Sequence, residues 1–212
     1  EIAVTSDSLL NLKRLPRSVV VVGAGVIGIE YASMFAALGL KVTVVDKRPR
    51  PLEFLDNEIV DELIHQLRKL DVTFRCGDGL KSLEISDGDR KQALLELESG
   101  KYLIAEMVLI STGRVGCTEG LGLDAVGLTA DERGRIKTDG HFQTAVPHIY
   151  AAGDVIGYPS LAATSSEQGR LAALHMFGEE TAPLGDRFPI GIYSIPEISM
   201  MGETEEGLTA KK

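Results

Sequence analysis

The sequence predicts an α/β protein in which a parallel sheet is joined by an antiparallel β-meander. Three observations carry this expectation. Val19 to Val22 is a run of four β-branched residues, stiff at χ1 and suited to a strand buried on both faces of a parallel sheet. The run leads into Gly23, Gly25 and Gly28 at G-x-G-x-x-G spacing and then into a proline-free helical stretch, Val26 to Leu38. Further on, Leu80 to Ile104 breaks into three short alternating stretches separated by Ser86-Asp87-Gly88-Asp89 and by Ser99-Gly100, the pattern of a meander.

Each element has a local reason. Gly23 makes the tight turn out of the strand, Gly25 lets the backbone approach a pyrophosphate, and Gly28 lets the helix pack on the strand. The free N–H groups and positive dipole end at the helix start make Gly23, Ala24, Gly25, Val26, Ile27 and Gly28 an anion site. The helix carries Ile27, Ala32, Phe35 and Leu38 on roughly one face, and Gly39 stands in the expected C-terminal place. Lys41 to Val45 is the second parallel strand and ends in Asp46, 18 residues beyond Gly28. That spacing suits a carboxylate on the adenosine ribose hydroxyls of a dinucleotide, as in Rossmann-like domains.

The segment after Asp46 holds Lys47, Arg48 and Arg50, with Pro49 and Pro51 preventing regular structure. Two readings stand side by side: a solvated basic loop, or a loop around the adenosine ribose in which an arginine holds a 2′-phosphate. Asp56 is placed to cap a helix carrying Ile59, Val60, Leu63, Leu67 and Leu70. Val72 to Cys76 is the third parallel strand, completing a βαβαβ mononucleotide-binding half. Met107 to Ser111 is another buried strand, followed by Thr112-Gly113-Arg114.

From Gly134 a second unit begins, with strand candidates at Ile136 to Thr138 and His148 to Ala152. A helix from Ser160 to Phe177 follows, in which Ala162, Ala163, Gly169, Ala172 and Ala173 permit close approach of a backbone or a flat ligand; plain helix packing explains the same residues. Phe188 to Gly202 has strand character. Glu1 to Arg17 reads as a connector into the sheet.

Composition narrows the function. The chain has 212 residues, 44% of them hydrophobic and 25% charged, as in an ordinary globular protein. A formal charge of -9 argues against nucleic acid or an anionic membrane as a partner. No apolar run reaches the roughly 18 residues that span a bilayer. No secretory signal is visible and the first residue is not Met, so the N-terminus reads as cut or omitted. Cys76 and Cys117 lie 41 residues apart and form no metal or C-x-x-C motif; they fit small, partly buried side chains in a reducing compartment, hence a cytoplasmic location. His65, His141, His148 and His175 lack carboxylate or cysteine partners at useful spacing, so no metal is expected.

Taken in order, GAGVIGIE, Thr112-Gly113-Arg114, IYAAGDVIGYPSLA and YSIPEIS resemble the flavoprotein disulfide reductase family, and the resemblance covers nearly the whole chain. The GDVIGYPSLA stretch, EFLD at Glu53 to Asp56 and GIYSIPEIS at Gly191 to Ser199 most resemble its soluble transhydrogenase members. The resemblance implies FAD, NAD and NADP as cofactors, and hydride transfer from NADPH through FAD to NAD+. It implies a connector at 1–13, an NAD(P)-binding domain at 14–140, the returning part of an FAD domain at 141–186 and the start of a dimerisation domain from 187. Asp154 would bind the flavin ribityl chain, and Ser160, Leu161, Ala162 and Ala163 would face the isoalloxazine. Glu30 would stand near the nicotinamide, Leu80 would flank the adenosine and Gly113 would touch the dinucleotide. Glu30 reads equally well as a helix-surface acid. The family's first flavin motif, redox cysteine pair and C-terminal His and Glu lie outside this chain, which by itself is expected to bind nucleotide without turnover; the parent is expected to be a homodimer or higher oligomer. A disulfide reductase and a non-catalytic nucleotide sensor are the rival readings.

Overall fold

A computed structural model describes residues 2–86, 91–185 and 187–211. It divides into two compact units, Glu1–Gly113 with Gly191–Lys212, and Arg114–Ile190.

The first unit contains the expected parallel sheet. Its strands are β1 (Ala3–Thr5), β2 (Ser18–Val22), β3 (Lys41–Asp46), β4 (Thr73–Cys76) and β8 (Met107–Ile110), in the spatial order β1-β8-β2-β3-β4. All four pairings are parallel. The lead-in, expected as a connector, contributes β1: Val4 is buried while Ala3 and Thr5 are exposed, the alternation of an edge strand. A short helix, α1 (Ser6–Leu9), follows it. The chain moves from β2 to β3 on one side, whereas β8 returns on the other. The carboxyl end of β2 is therefore the switch point at which such sheets bind ligands.

The meander consists of β5 (Leu80–Ser86), β6 (Gln92–Leu97) and β7 (Tyr102–Ala105), antiparallel in that order. Of the polar turn expected at Ser86 to Asp89, residues 87–89 lie outside the described residues. The pleat of β2 sends Val20 and Val22 into one cluster with Val45, Val108, Ala93, Leu95, Leu97 and Ala105. Val19 and Val21 point to the opposite face and are also buried, so the valine run is explained by burial on both sides.

Helix α2 (Val26–Ala37) follows the glycine turn and packs against β2 and β3. Its buried residues are Gly28, Ile29, Ala32, Ser33, Phe35 and Ala36. Leu38, assigned from sequence to the apolar face, is 61% exposed, and Ile27 is only partly buried. The face turned inward is centred on Ile29 and Ala36, with Gly28 set against the Gly23 carbonyl of the turn. Gly39, at φ 82°, ends the helix: its N–H donates to the Ala36 carbonyl while the Leu40 N–H donates to the Phe35 carbonyl, a Schellman closure. Helix α3 (Asn57–Lys69) begins at Asp56, whose carboxylate accepts from the Glu58 N–H, and buries Val60, Leu63 and Leu67. Ile59 and Leu70 remain exposed.

In the second unit, Phe142, Leu171 and Ala172 form a small core with Tyr150, Ile156 and Leu184 around helix α4 (Ala162–Met176). The strands expected at Ile136 to Thr138 and His148 to Ala152 are reduced to single bridges, Ala130 with Ile136 and Gln143 with Tyr150. The backbone donors of those stretches go to separate carbonyls: the Ile136 N–H to Val155 at 2.9 Å, the Ile149 N–H to Val146 at 2.9 Å and the Ala151 N–H to Phe142 at 3.0 Å. In the turns before these stretches, Asp131 accepts from the Arg133 and Arg135 N–H groups, and Asp139 from those of His141 and Gln143. The boundary expected at Asp186 lies outside the described residues.

Toward the C-terminus the chain forms β9 (Ile190–Ile192), paired with β10 (Ile198–Met200), and a short helix α5 (Glu205–Ala210). Among the described residues, no helix is long and apolar enough to cross a membrane.

Candidate dinucleotide site

The glycine turn sits at the switch point and is fixed from several sides. The Gly23 N–H donates to the Val45 carbonyl at 2.8 Å, joining the end of β2 to β3. Gly23 has φ 108°, and a Cβ there would lie 2.4 Å from the Ser111 carbonyl oxygen; one on Gly28 would lie 1.9 Å from the Gly23 carbonyl oxygen. Neither position can carry a side chain without moving backbone. Gly25 differs, because the nearest atom to its would-be Cβ is the Arg48 Nη2 at 3.9 Å. Packing therefore requires Gly23 and Gly28, whereas the space beside Gly25 is open. The crowding at Gly23 and Gly28 accords with the turn and packing duties the spacing predicts for them, and Gly25 has room beside it.

The starts of the longer helices differ. Asp56 caps α3 and Thr204 caps α5 through the Gly207 N–H at 3.0 Å. No side chain caps α2, which begins at Gly25, or α4, which begins at Leu161. The first-turn N–H groups of a helix have no partner within it. At α2 and α4 no N-cap side chain supplies one. Val26 and Ile27, in the first turn of α2, are only half-buried.

Ala24 is held at both ends: its N–H donates to Asp46 Oδ2 at 2.6 Å and its carbonyl accepts from the Leu52 N–H at 3.1 Å. Asp46 closes β3 with a side chain 6% exposed. Its Oδ1 accepts from the Arg48 N–H at 2.8 Å and Arg48 Nε at 3.0 Å, and its Oδ2 also accepts from Arg48 Nη2 at 2.6 Å. Burial pushes the Asp46 carboxyl upward, but the bonds from Arg48 and Ala24 outweigh it and hold it below the ordinary carboxylate value. Of the basic residues in this loop, Lys47 is exposed and Arg50 turns to Asp61 at 2.5 Å. Arg48 alone of the three faces the carboxylate. The sequence spacing does not single it out, since a turn two residues beyond a strand end has no fixed side-chain direction.

Ser111 was not expected as a site residue. Its hydroxyl bridges the carbonyls of Val22 at 3.0 Å and Gly23 at 3.1 Å, clamping the turn from β8. The only sequence signal is a small polar residue at the end of a buried strand. Gly113, two residues on, has φ 133° and open space at its Cα. Leu80 opens β5 and packs against the cluster between sheet and meander. Glu30 is half-buried, and its Oε1 accepts from the Tyr193 N–H at 2.9 Å across 163 residues, a partner neither reading of this acid foresaw.

In the second unit, Gly153 has φ 82° and donates its N–H to the buried Gln168 Oε1 at 2.7 Å, setting Gly153-Asp154 against α4. Asp154, Ser160, Ala162 and Ala163 are exposed and Leu161 is half-buried. Of the small residues on α4, Ala172 belongs to the core; Ala162, Ala163, Gly169 and Ala173 face outward. Among the described residues, no cluster of His, Cys, Asp and Glu could hold a metal, and Cys76 and Cys117 are free.

Comparison with known proteins adds to this geometry. The profile of the pyridine nucleotide-disulphide oxidoreductase family matches residues 2–169. The chain is 57% identical over 204 residues to a soluble pyridine nucleotide transhydrogenase of Mycobacterium tuberculosis, covering 96% of this chain and 43% of that protein. It is 48% identical over 208 residues to a soluble pyridine nucleotide transhydrogenase of Aliivibrio fischeri, with 98% and 44% covered. Among solved structures, LpdA from Mycobacterium tuberculosis superposes with a TM-score of 0.90 at 29% identity, over 98% of this chain and 45% of that one. RclA from Escherichia coli, a HOCl-induced flavoprotein disulfide reductase, superposes with 0.89 at 30% identity, over 98% and 47%. The chain spans less than half the length of each of these proteins.

Proposed function

Because this chain belongs to the pyridine nucleotide-disulphide oxidoreductase family, we propose that it binds a nicotinamide dinucleotide at Gly23 to Gly28 and forms the central part of a flavin-dependent transhydrogenase. The parent passes hydride from NADPH to NAD+. The observation that carries the binding site is the uncapped start of α2 beside the open Gly25, with a buried carboxylate at the end of the next strand. The curated relatives named above supply the reaction class.

In this reading, residues 14–140 are the NAD(P)-binding domain, 141–186 return to an FAD domain, and the segment from 187 opens a dimerisation domain. FAD, when bound, accepts and donates the two electrons of a hydride. The first turn of α2 takes the charge of the pyrophosphate, and Gly25 gives it room. Asp46 and Arg48 receive the adenosine ribose end. Glu30 and Gly113 line the dinucleotide, and Leu80 supports the adenosine side from the core. Asp154 and the start of α4, Ser160 to Ala163, present small exposed groups and uncapped N–H donors to the flavin.

Two experiments test the reading. Fluorescence titration of the chain with NADH and NADPH is expected to saturate at one site; no saturable binding overturns it. In the full-length parent, NADPH is expected to reduce a thio-analogue of NAD+ with flavin bound and no added thiol. Similarity to RclA favours a disulfide reductase as the second reading. That chemistry needs a redox cysteine pair, and Cys76 and Cys117 are both free. Two titratable thiols appearing after NADH reduction of the parent would establish the reductase instead.

A further inference from the structure

Resting on the dinucleotide reading above, we propose that Arg48 is the specificity latch of the site, a single guanidinium that covers Asp46 in the free protein and moves onto the 2′-phosphate of NADPH.

The geometry points to a shared group. A carboxylate offers about four acceptor positions, and Asp46 fills them with Ala24 N, Arg48 N, Arg48 Nε and Arg48 Nη2. A ribose diol, the distinguishing feature of NADH, can hydrogen-bond to Asp46 only after the Arg48 side chain has left. The two main-chain donors, Ala24 and Arg48 N–H, stay in place when it does, so Asp46 keeps a partner on each oxygen. The backbone of the loop is held independently, since the Gly77 N–H donates to the Arg48 carbonyl at 2.8 Å and the Asp78 N–H to the Asp46 carbonyl at 3.2 Å. What moves is the side chain. It is 41% exposed, and its Nη2 already lies 3.9 Å from the would-be Cβ of Gly25.

A dinucleotide carrying a 2′-phosphate meets a different balance. Its phosphate cannot approach Asp46 as a bare anion, because two like charges at contact repel. With the guanidinium transferred to the phosphate, the fork that now grips a carboxylate grips the phosphate in the same planar geometry. Arg50 is held by Asp61 and the Asn57 carbonyl, so it does not compete for the role. In both cases the guanidinium leaves Asp46: NADH then uses the uncovered carboxylate and NADPH uses the guanidinium, which is how one pocket can serve both.

The test uses the intact chain and four probes: NADH, NADPH, 5′-AMP and 2′,5′-ADP. Arg48→Gln is expected to weaken NADPH and 2′,5′-ADP by about tenfold or more, while NADH and 5′-AMP bind as well as before or better because Asp46 is uncovered. Asp46→Asn is expected to shift the preference the other way. Arg48→Lys keeps the charge without the fork and should recover only part of the NADPH affinity. Equal loss for all four probes, or no change in the ratio, overturns the latch while leaving the dinucleotide reading intact. Failure of the unmodified chain to bind any of the probes overturns both. Melting curves of each variant guard against a folding defect, and a parallel fall in melting temperature and in all affinities counts against the proposal.

Discussion

The Ala24 N–H and the Asp46 carboxylate meet at 2.6 Å, tying the glycine turn after β2 to the end of β3. This bond gives Asp46 a structural duty beside any contact with ligand. It also positions the start of α2, since Ala24 immediately precedes the first helical cap residue, Gly25.

The three motif glycines should fail in different ways. Gly28→Ala forces a Cβ to 1.9 Å from a backbone carbonyl and is expected to cost about 1–3 kcal/mol or more. Gly25→Ala meets nothing closer than 3.9 Å and is expected to cost about 1 kcal/mol or less, yet to weaken NADH binding by about tenfold. Urea unfolding and NADH titration of the two variants separate these effects. Equal destabilisation by both would remove the distinction between the packing glycine and the ligand-facing one.

Stability should carry an acid limb from Asp46. Its folded carboxyl titrates below the ordinary 3.8, so the folded state favours the charged form. That contribution is fully present above the ordinary value and is lost as pH falls through the lower, folded value. The stability difference between the chain and Asp46→Asn is therefore expected to be flat at neutral pH and to shrink only below about pH 4. Urea midpoints measured across this range check the sign; a difference that disappears near pH 6 contradicts it.

The C-terminal segment hangs on α2 through two bonds, Tyr193 N–H to Glu30 and Ile195 N–H to Ser33 Oγ at 3.0 Å. Ser33 is fully buried and also donates to the Glu30 carbonyl. Ser33→Ala leaves the Ile195 N–H without its acceptor and is expected to cost about 1–3 kcal/mol. Hydrogen exchange at Ile195 should accelerate more than exchange in β2. Unchanged protection at Ile195 would show that the segment is held by other contacts.

Much of the fold was legible because it rests on local rules. Four valines before a glycine turn specify a doubly buried strand, Asp56 caps α3, and the meander follows from alternation broken by turn residues. The stretches 136–138 and 148–152 carry strand pattern yet form single bridges, since a short apolar run does not reveal that its backbone donors will go to separate carbonyls, those of Val155, Val146 and Phe142. The edge strand β1 does not stand out from a connector in the sequence, because three residues carry too little pattern.

By itself the sequence determined the glycine turn, its helix and the carboxylate at the next strand end, since backbone sterics and side-chain periodicity act within a few residues. Tertiary structure alone decided which basic side chain covers Asp46, that Ser111 clamps the turn from β8 and that Glu30 holds Tyr193. These are contacts between segments 89 or 163 residues apart, or choices of side-chain direction in a loop. Such relationships depend on how the strands are ordered in space, and no local pattern encodes that order.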